Sequence, residues 1–334
     1  MSEFETEGNL FHVGYALPAR KINAFMVPSF IDFARERGID FISIDVSKPL
    51  TDQAPFDCIL HKVYGDEWNL NLQNFSVHNP NATIIDPLSA IQRLHNRISM
   101  LEPVSQLNIP QLKIPNQILV QDSESLKNVE TTSGLNFPVI AKPLLADGTT
   151  KAHDMSLVFN HDGLMKEIKL EPPMVLQQFV NHGGTIFKVY VADDYVKCVK
   201  RSSLPDLSKD TIEKIASDSG GAISFSRISG AVIADGRSDN NSGEELKMPA
   251  TEFLVEVAKG LRKALGLHLF NFDMIRDGEG DGYLVIDINY FPGYEKLPSY
   301  ETVMVDFFLN IKKLQELKKT TKKENDDRID ETEV

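Results

Sequence analysis

Leu284-Val285-Ile286-Asp287-Ile288-Asn289-Tyr290-Phe291-Pro292-Gly293-Tyr294 decides the fold. Its apolar lead-in reads as a buried strand. Asp287 and Asn289 stand two apart, so in a strand their side chains project from one face. A carboxylate and an amide oxygen leave the strand end together, and Pro292-Gly293 turns the chain away behind them. Upstream, Leu267-His268-Leu269-Phe270-Asn271-Phe272-Asp273-Met274-Ile275 is a second apolar run. The link Asp277-Gly278-Glu279-Gly280-Asp281-Gly282 has hairpin-loop chemistry. Antiparallel pairing of the two runs lets Asp273 face Asp287. Two carboxylates and an amide on paired strands make an all-oxygen site, which suits Mg²⁺, a hard cation that shares its shell with substrate phosphates. Polar residues facing water would give the same short pattern. Here both acids interrupt apolar runs, and a buried acid without a partner is costly.

The 334 residues suggest two or three domains. Hydrophobic residues make up 42% and charged residues 25%, enough for packed cores in an ordinary soluble protein. Against 35 basic residues stand 48 acidic ones, for a net charge of −13. That balance argues against nucleic-acid and anionic-membrane partners, though not against a local basic pocket. Cys58 and Cys198 fit neither a metal spacing nor a disulfide framework, which points to a reducing compartment. The acidic start, Met1 to Glu7, lacks the apolar core of a signal peptide, and no apolar run approaches membrane-spanning length. A cytoplasmic monomer is expected, with the nucleus as a second compartment.

Working outward, His12 to Leu17 reads as a first strand, followed by a basic turn with Arg20 and Lys21. A helix is predicted over Phe25 to Arg37, stopped by Gly38, then strands over Ile39 to Val46 and Phe56 to Val63. This alternation implies an open α/β sheet, whose ligands gather at strand C-terminal ends. Lys21 and Lys62 follow such ends, and His61 reads as a satisfied core histidine. A short strand at Thr83 to Asp86 leads into a helix from Pro87 to about Leu101, on which Arg93 and Arg97 share a face. Leu107 to Leu119 reads as an extended connector.

In Phe137-Pro138-Val139-Ile140-Ala141-Lys142-Pro143 a lysine ends an apolar strand, ahead of the donor-rich loop Asp147 to Met155. That placement suits nucleotide phosphates. A helix over Asp162 to Leu170 has Asn160 or Asp162 as its N-cap. Met174 to Val180 is a strand running into Asn181-His182-Gly183-Gly184, a hinge whose backbone can read an adenine edge. Thr185 to Ala192 and Tyr195 to Arg201 form a hairpin over Asp193-Asp194. Mobile polar segments are expected at Ser202 to Gly221 and Asp235 to Lys247. An amphipathic helix spans Thr251 to Leu265, a last helix Thr302 to Leu317, and a disordered charged tail Lys318 to Val334. No Gly-Lys dipeptide occurs, so a P-loop is excluded, and the protein-kinase His-Arg-Asp and Asp-Phe-Gly elements are missing.

A strand-end lysine with a Gly loop, a hinge, and a late Asp…Asp-x-Asn site together resemble the ATP-grasp fold, here behind an N-terminal open α/β domain. Further segments narrow the resemblance: Val13-Gly14-Tyr15…Lys21, His61-Lys62, Asp86-Pro87-Leu88…Arg97, Lys142-Pro143…Gly148-Thr149…His153-Asp154-Met155, Val175 to His182, Lys188-Val189-Tyr190-Val191 and Ile286 to Tyr294. From about Val13 to Leu317 the chain is similar to the inositol 1,3,4-trisphosphate 5/6-kinase (inositol tetrakisphosphate 1-kinase) family, most of all to its plant members.

That resemblance implies an ATP-dependent kinase acting on an inositol polyphosphate. It divides the chain into an N-terminal domain over 1–100, ATP-grasp subdomains over 101–180 and 181–317, and the tail. It places Arg97, Lys142, Gln177, Gln178, Phe179, Val180, Lys188, Ser203, Ser224 and Ser226 at ATP. Lys21, Lys62, His153, Lys188, Arg201, Asn289 and Gly293 fall at the inositol phosphate, and Asp273, Asp287 and Asn289 at Mg²⁺. Lys188, His153 and Asn289 stand nearest the chemistry. Two rival readings remain at this stage: an ATP-grasp carboxylate–amine ligase with the same metal site, and an inactive inositol-phosphate-binding scaffold.

Overall fold

Before Leu88 the apolar runs build a parallel sheet. Its strands are β1 (Phe11–Ala16), β2 (Ile39–Ser43), β3 (Cys58–His61) and β4 (Thr83–Ile85), in the order β2-β1-β3-β4. The computed structural model describes residues 10–127, 134–225, 246–278 and 281–330. It separates into two compact units. The first comprises the chain through Leu88, Leu267–Leu269 and the residues from Phe291 onward; the second comprises Ser89–Gly266 and Phe270–Tyr290.

In the first unit the helix predicted over 25–37 is Pro28–Arg35, and the basic turn expected before it is a separate helix, Ala19–Phe25. Pro28 supplies no N–H and opens the second helix at its first turn, which is where proline fits. Arg20 and Lys21 therefore lie on a helix rather than in a turn. The open parallel sheet expected from the β-α-β-β pattern is present. His61 is fully buried and satisfied: one ring nitrogen meets the Asp86 carbonyl at 3.0 Å, and Trp68 Nε1 donates to the other. The buried Asp86 carboxylate accepts from His268 N, Leu269 N and His268 Nδ1 at 2.7–3.0 Å.

The last helix runs Tyr300–Asp330, well past the predicted end at Leu317. Lys, Glu and Leu have high helix propensity, so the charged stretch extends a helix already anchored by packed residues. Residues 318–330 are thus helical, not a disordered tail, and 331–334 lie outside the described residues. Near its middle, Gln315 donates to Asp57 O and Thr83 Oγ1.

The second unit holds two five-stranded sheets. One contains β6 (Gln117–Val120), β7 (Val139–Pro143), β8 (Ser156–Val158), β9 (Met174–Gln178) and β12 (Ala222–Ser224), in the order β12-β8-β7-β9-β6. The other contains β5 (Leu112–Lys113), β10 (Thr185–Ala192), β11 (Tyr195–Ser202), β13 (Leu269–Arg276) and β14 (Tyr283–Tyr290), in the order β11-β10-β13-β14-β5. Both predicted hairpins form, β10 with β11 and β13 with β14. The helix Thr251–Leu265 ends, as expected, on Gly266 in the left-handed region.

Other segments differ from expectation. The helix begun near Pro87 ends at Arg93, so Arg93 and Arg97 share no helical face. Arg93 pairs with Glu102, while Arg97 turns toward Pro143 and Ala152. Ser202 to Gly221, read as a mobile loop, contains the helix Lys209–Asp218, whose cap Ser208 accepts from Thr211 N. Ile212 and Ile215 on that helix pack against Leu157, Phe159 and Phe179. The helix after Asn160 spans His161–Lys166, and Asn160 is its cap, accepting from Gly163 N at 2.8 Å. The segment 235–245 lies outside the described residues.

Candidate active site

The β13–β14 register is the one the sequence needed. Asp273 stands directly opposite Asp287, and Asn271 opposite Asn289, with an irregularity just after Asp273. Opposite residues in an antiparallel pair project from the same face. The two acids and two amides therefore form one cluster. Asn289 Nδ2 donates to Asp287 Oδ2 and Asn271 Nδ2 to Asp273 Oδ1, each at 2.8 Å. Those donations leave both amide oxygens turned away from the carboxylates. Asn271 is fully buried, and its Oδ1 has no hydrogen-bond partner. Asn271 was not singled out in the sequence, although Asn271-Phe272-Asp273 mirrors Asp287-Ile288-Asn289.

Each acid also carries a cation. Lys188 Nζ reaches Asp273 Oδ1 at 2.9 Å and Oδ2 at 3.2 Å. Arg97 Nη1 lies 3.7 Å from Asp287 Oδ1. Burial pushes the Asp273 carboxyl upward, Lys188 pulls it back, and the Asp287 charge pushes it up again. Arg97 is tied into the backbone: Nε donates to Pro143 O at 3.0 Å and Nη2 to Ala152 O at 2.9 Å. Its own pKa is lowered, chiefly by burial and against the pull of Asp287.

Lys142 ends β7 on the other sheet. It is 7% exposed, and its ammonium donates to Gln177 Oε1 at 2.6 Å. Burial first, and the Arg97 charge second, pull its pKa down to about 8, while Asp287 works the other way.

These groups open on one cavity of about 260 Å³ inside the second unit. Arg97, Lys142, Asp273, Asp287 and Asn289 mark its polar part, with His153 on the loop after β7. Gln177, Gln178, Phe179 and Val180 line it along the strand into the hinge, joined by His182 and Ser203. Ile140, Ile186, Ile275 and Ile286 give it apolar walls. A cavity with an apolar part and a phosphate-ready polar part suits a nucleotide.

The hinge is held in place rather than loose. Asp206 accepts from His182 N and Gly183 N at 2.8 Å, and Asn181 exchanges two bonds with Leu207. His182 links Val180 O, at 2.7 Å, with Ser203 Oγ, at 2.8 Å. A carbonyl only accepts, so Nδ1 carries a proton; in the neutral ring Nε2 then accepts from the serine. The sequence reading placed His182 in the hinge; its side chain also lines the cavity.

Other expected residues lie elsewhere. Lys188 reaches the cluster through Asp273 and does not line the cavity. Arg201 pairs across β10–β11 with Ile186, hence on the same face as Lys188, but outside the lining. Ser224 ends β12 exposed, and its neighbour Phe225 meets the cavity instead. Ser226 lies outside the described residues.

Lys21, Lys62 and Gly293 belong to the first unit. Lys21 Nζ donates to Pro292 O at 2.5 Å and Glu295 at 3.2 Å; Lys62 Nζ donates to Phe291 O at 3.1 Å. Burial, then the nearby Lys21 charge, pulls the Lys62 pKa down to about 8. Gly293 passes so close to Glu295 that a Cβ would sit 2.9 Å from its carboxylate.

Two sheets framing a nucleotide-sized cavity, a strand-end lysine on one and paired acids on the other, define an ATP-grasp protein. Solved structures agree. A D-alanine–D-alanine ligase from Bacillus anthracis matches with a TM-score of 0.59 at 13% identity, over 92% of this chain and 99% of that one. The macrocyclase MdnC from Microcystis aeruginosa matches at 0.57 and 13%, over 90% and 99%. At such identity they speak for the fold alone. The inositol 1,3,4-trisphosphate 5/6-kinase pre-ATP-grasp domain matches residues 12–91, and the ATP-grasp domain of the same family residues 108–310. An inositol-tetrakisphosphate 1-kinase 5 of Oryza sativa subsp. japonica is 50% identical over 89% of this chain and 88% of its own length. An inositol-tetrakisphosphate 1-kinase 1 of Arabidopsis thaliana is 48% identical over 89% and 94%. The chain belongs to the inositol 1,3,4-trisphosphate 5/6-kinase family.

Proposed function

We propose that this chain is an ATP-dependent inositol polyphosphate kinase that moves the γ-phosphoryl group of ATP to a ring hydroxyl. Inositol 1,3,4-trisphosphate and inositol 3,4,5,6-tetrakisphosphate are the leading acceptors. The observation that carries the reading is Asp273 opposite Asp287, in one cavity with Arg97 and Lys142, in a chain of this family.

The donor set fits Mg²⁺: the Asp273 and Asp287 carboxylates would hold it as hard oxygen donors, and Asn289 would add its amide oxygen once its side chain turns over from Asp287. Held there, Mg²⁺ would supply charge neutralisation for the nucleotide phosphates. Lys142 and Arg97 hold the phosphate oxygens. The segment Gln177–Val180 with Ser203 takes the adenosine, and the isoleucine walls exclude water around it. In the free protein Lys188 and Arg97 face the two acids, so these side chains would have to exchange partners when ligands bind.

His153, Lys188 and Arg201 hold ring phosphates, with Asn289 beside the acceptor hydroxyl. Lys21, Lys62 and Gly293 keep the acceptor-binding assignment that the family resemblance gives them. A loose phosphoryl transition state asks for positioning more than for a strong base, and none is assigned. We read the protein as a monomer of the cytoplasm or nucleus. Among the described residues no helix is long and apolar enough to cross a membrane.

The test is an acceptor panel with Mg²⁺ and ATP. Inositol tris- and tetrakisphosphates should be phosphorylated, and pairs of amino acids should not be joined. Amide formation without ring phosphorylation would transfer the assignment to the ligases.

A further inference from the structure

We propose that Gln117, acting through Gln177, fixes where the Lys142 ammonium points, and is a positioning residue for nucleotide phosphates. The inference rests on the reading that Lys142 meets those phosphates.

Lys142 Nζ donates to Gln177 Oε1 at 2.6 Å. An ammonium has donors only, so Gln177 must present its oxygen to Lys142 and turn its NH₂ away. That NH₂ donates to Gln117 Oε1 at 3.1 Å. The end acceptor of the relay is thus on β6, one strand beyond β9. The strand pairing brings the three side chains together. Gln117 stands opposite Gln177, and Gln177 opposite Ile140, which puts Lys142 on the diagonal two residues along. All three side chains share one face of the sheet.

The relay is neutral apart from Lys142. A carboxylate in the place of Gln177 would hold the ammonium by charge and compete with phosphate for it. A neutral amide aims the ammonium and leaves its charge for the ligand. An amide does this only while one orientation is preferred, because the flipped one sets NH₂ against the ammonium. Gln117 supplies that preference. It does not line the cavity, so it acts on the nucleotide only through its neighbour.

The test compares Gln117→Met, which keeps length and loses the acceptor, with Gln117→Glu, which keeps the acceptor, in wild-type and Lys142→Met backgrounds. ATP and adenosine are titrated by calorimetry. Gln117→Met should raise the Kd for ATP about three- to tenfold and leave adenosine unchanged. Gln117→Glu should bind ATP within about twofold of wild type. In the Lys142→Met background, Gln117→Met should have no further effect. If Gln117→Met fails to fold, Gln117→Ala, which also lacks the acceptor, takes its place. Wild-type ATP affinity in the acceptor-free variant, equal loss for adenosine, or an effect that persists without Lys142 would each overturn the inference. Wild-type ATP affinity in Lys142→Met alone would overturn the phosphate reading instead.

Discussion

The two sheets of the second unit treat their charged groups in opposite ways. On the β13–β14 hairpin, Asp273 and Asp287 are part-exposed and each faces a cation. On the β7–β9 sheet, Lys142 is almost fully buried and donates to a neutral amide, with the Asp287 charge acting only from a distance and against that of Arg97. Opposite charges neutralise a group and must be pulled off it before it can take a ligand. A neutral amide orients a group without discharging it, at the cost of desolvating an uncompensated ammonium. On the proposed function, the hairpin exchanges partners when ligands bind and the lysine captures an anion.

Substitutions on the two sheets should separate these roles. The largest effect is expected at Asp287. Asp287→Ala should lower phosphoryl transfer by about a hundred- to a thousandfold even at saturating Mg²⁺, since one removed charge-stabilising group is typically worth that much. Its thermal unfolding should stay near wild type. Turnover close to wild type would break the metal assignment.

Next comes Lys142. Lys142→Met should weaken ATP by roughly one to two decades, because charge-assisted bonds contribute about 1.5–3 kcal/mol, while inositol phosphate affinity changes little. Unchanged ATP affinity in calorimetry would remove the contrast between the sheets.

Arg201→Ala and His153→Ala should act the other way round, raising the acceptor Kd by about one to two decades for the arginine. The loss should shrink as salt is added, since ionic contacts are screened. Two variants that bind the inositol phosphate like wild type, with no salt dependence, would refute the basic-pocket assignment.

A smaller effect concerns protons. In the free protein burial pulls the Lys142 pKa down to about 8. Phosphates favour its charged form, so the bound pKa is higher and binding takes up protons at and above about pH 8. Near pH 6.5 the lysine is already charged, and its share of the uptake vanishes. ATP affinity should accordingly fall as pH rises through 8. Calorimetry in two buffers of different ionisation enthalpy reads the uptake directly; none at pH 8 would contradict the burial argument.

Truncation after Leu317 should do least. It removes part of a helix but keeps Gln315, which anchors that helix to Asp57 and Thr83. Activity should be retained.

What the sequence made legible follows the same division. Asp273 facing Asp287 could be read because strand periodicity and a Gly-rich link fix both face and approximate register. Lys142 showed itself as a charge closing an apolar run. The helix 251–265 had an apolar stripe and a Gly stop. Gln117, Gln177's true partner and Asn271 were not legible, because neutral amides leave no mark in a pattern of charges and apolar runs. The helix at 209–218 hid in a polar stretch with few apolar residues, and only packing by Ile212 and Ile215 reveals its inner face. The break at Pro28 was readable and was overlooked. The charged tail was misread because composition alone does not separate a solvated helix from a disordered chain.

The most direct test of the central claim is a phosphorus balance on the wild-type protein with Mg²⁺, ATP and one purified inositol polyphosphate. A kinase forms one ring phosphate ester for each ADP and releases no inorganic phosphate. That stoichiometry is the predicted result. Inorganic phosphate released with each ADP, and no new ring ester, would contradict it.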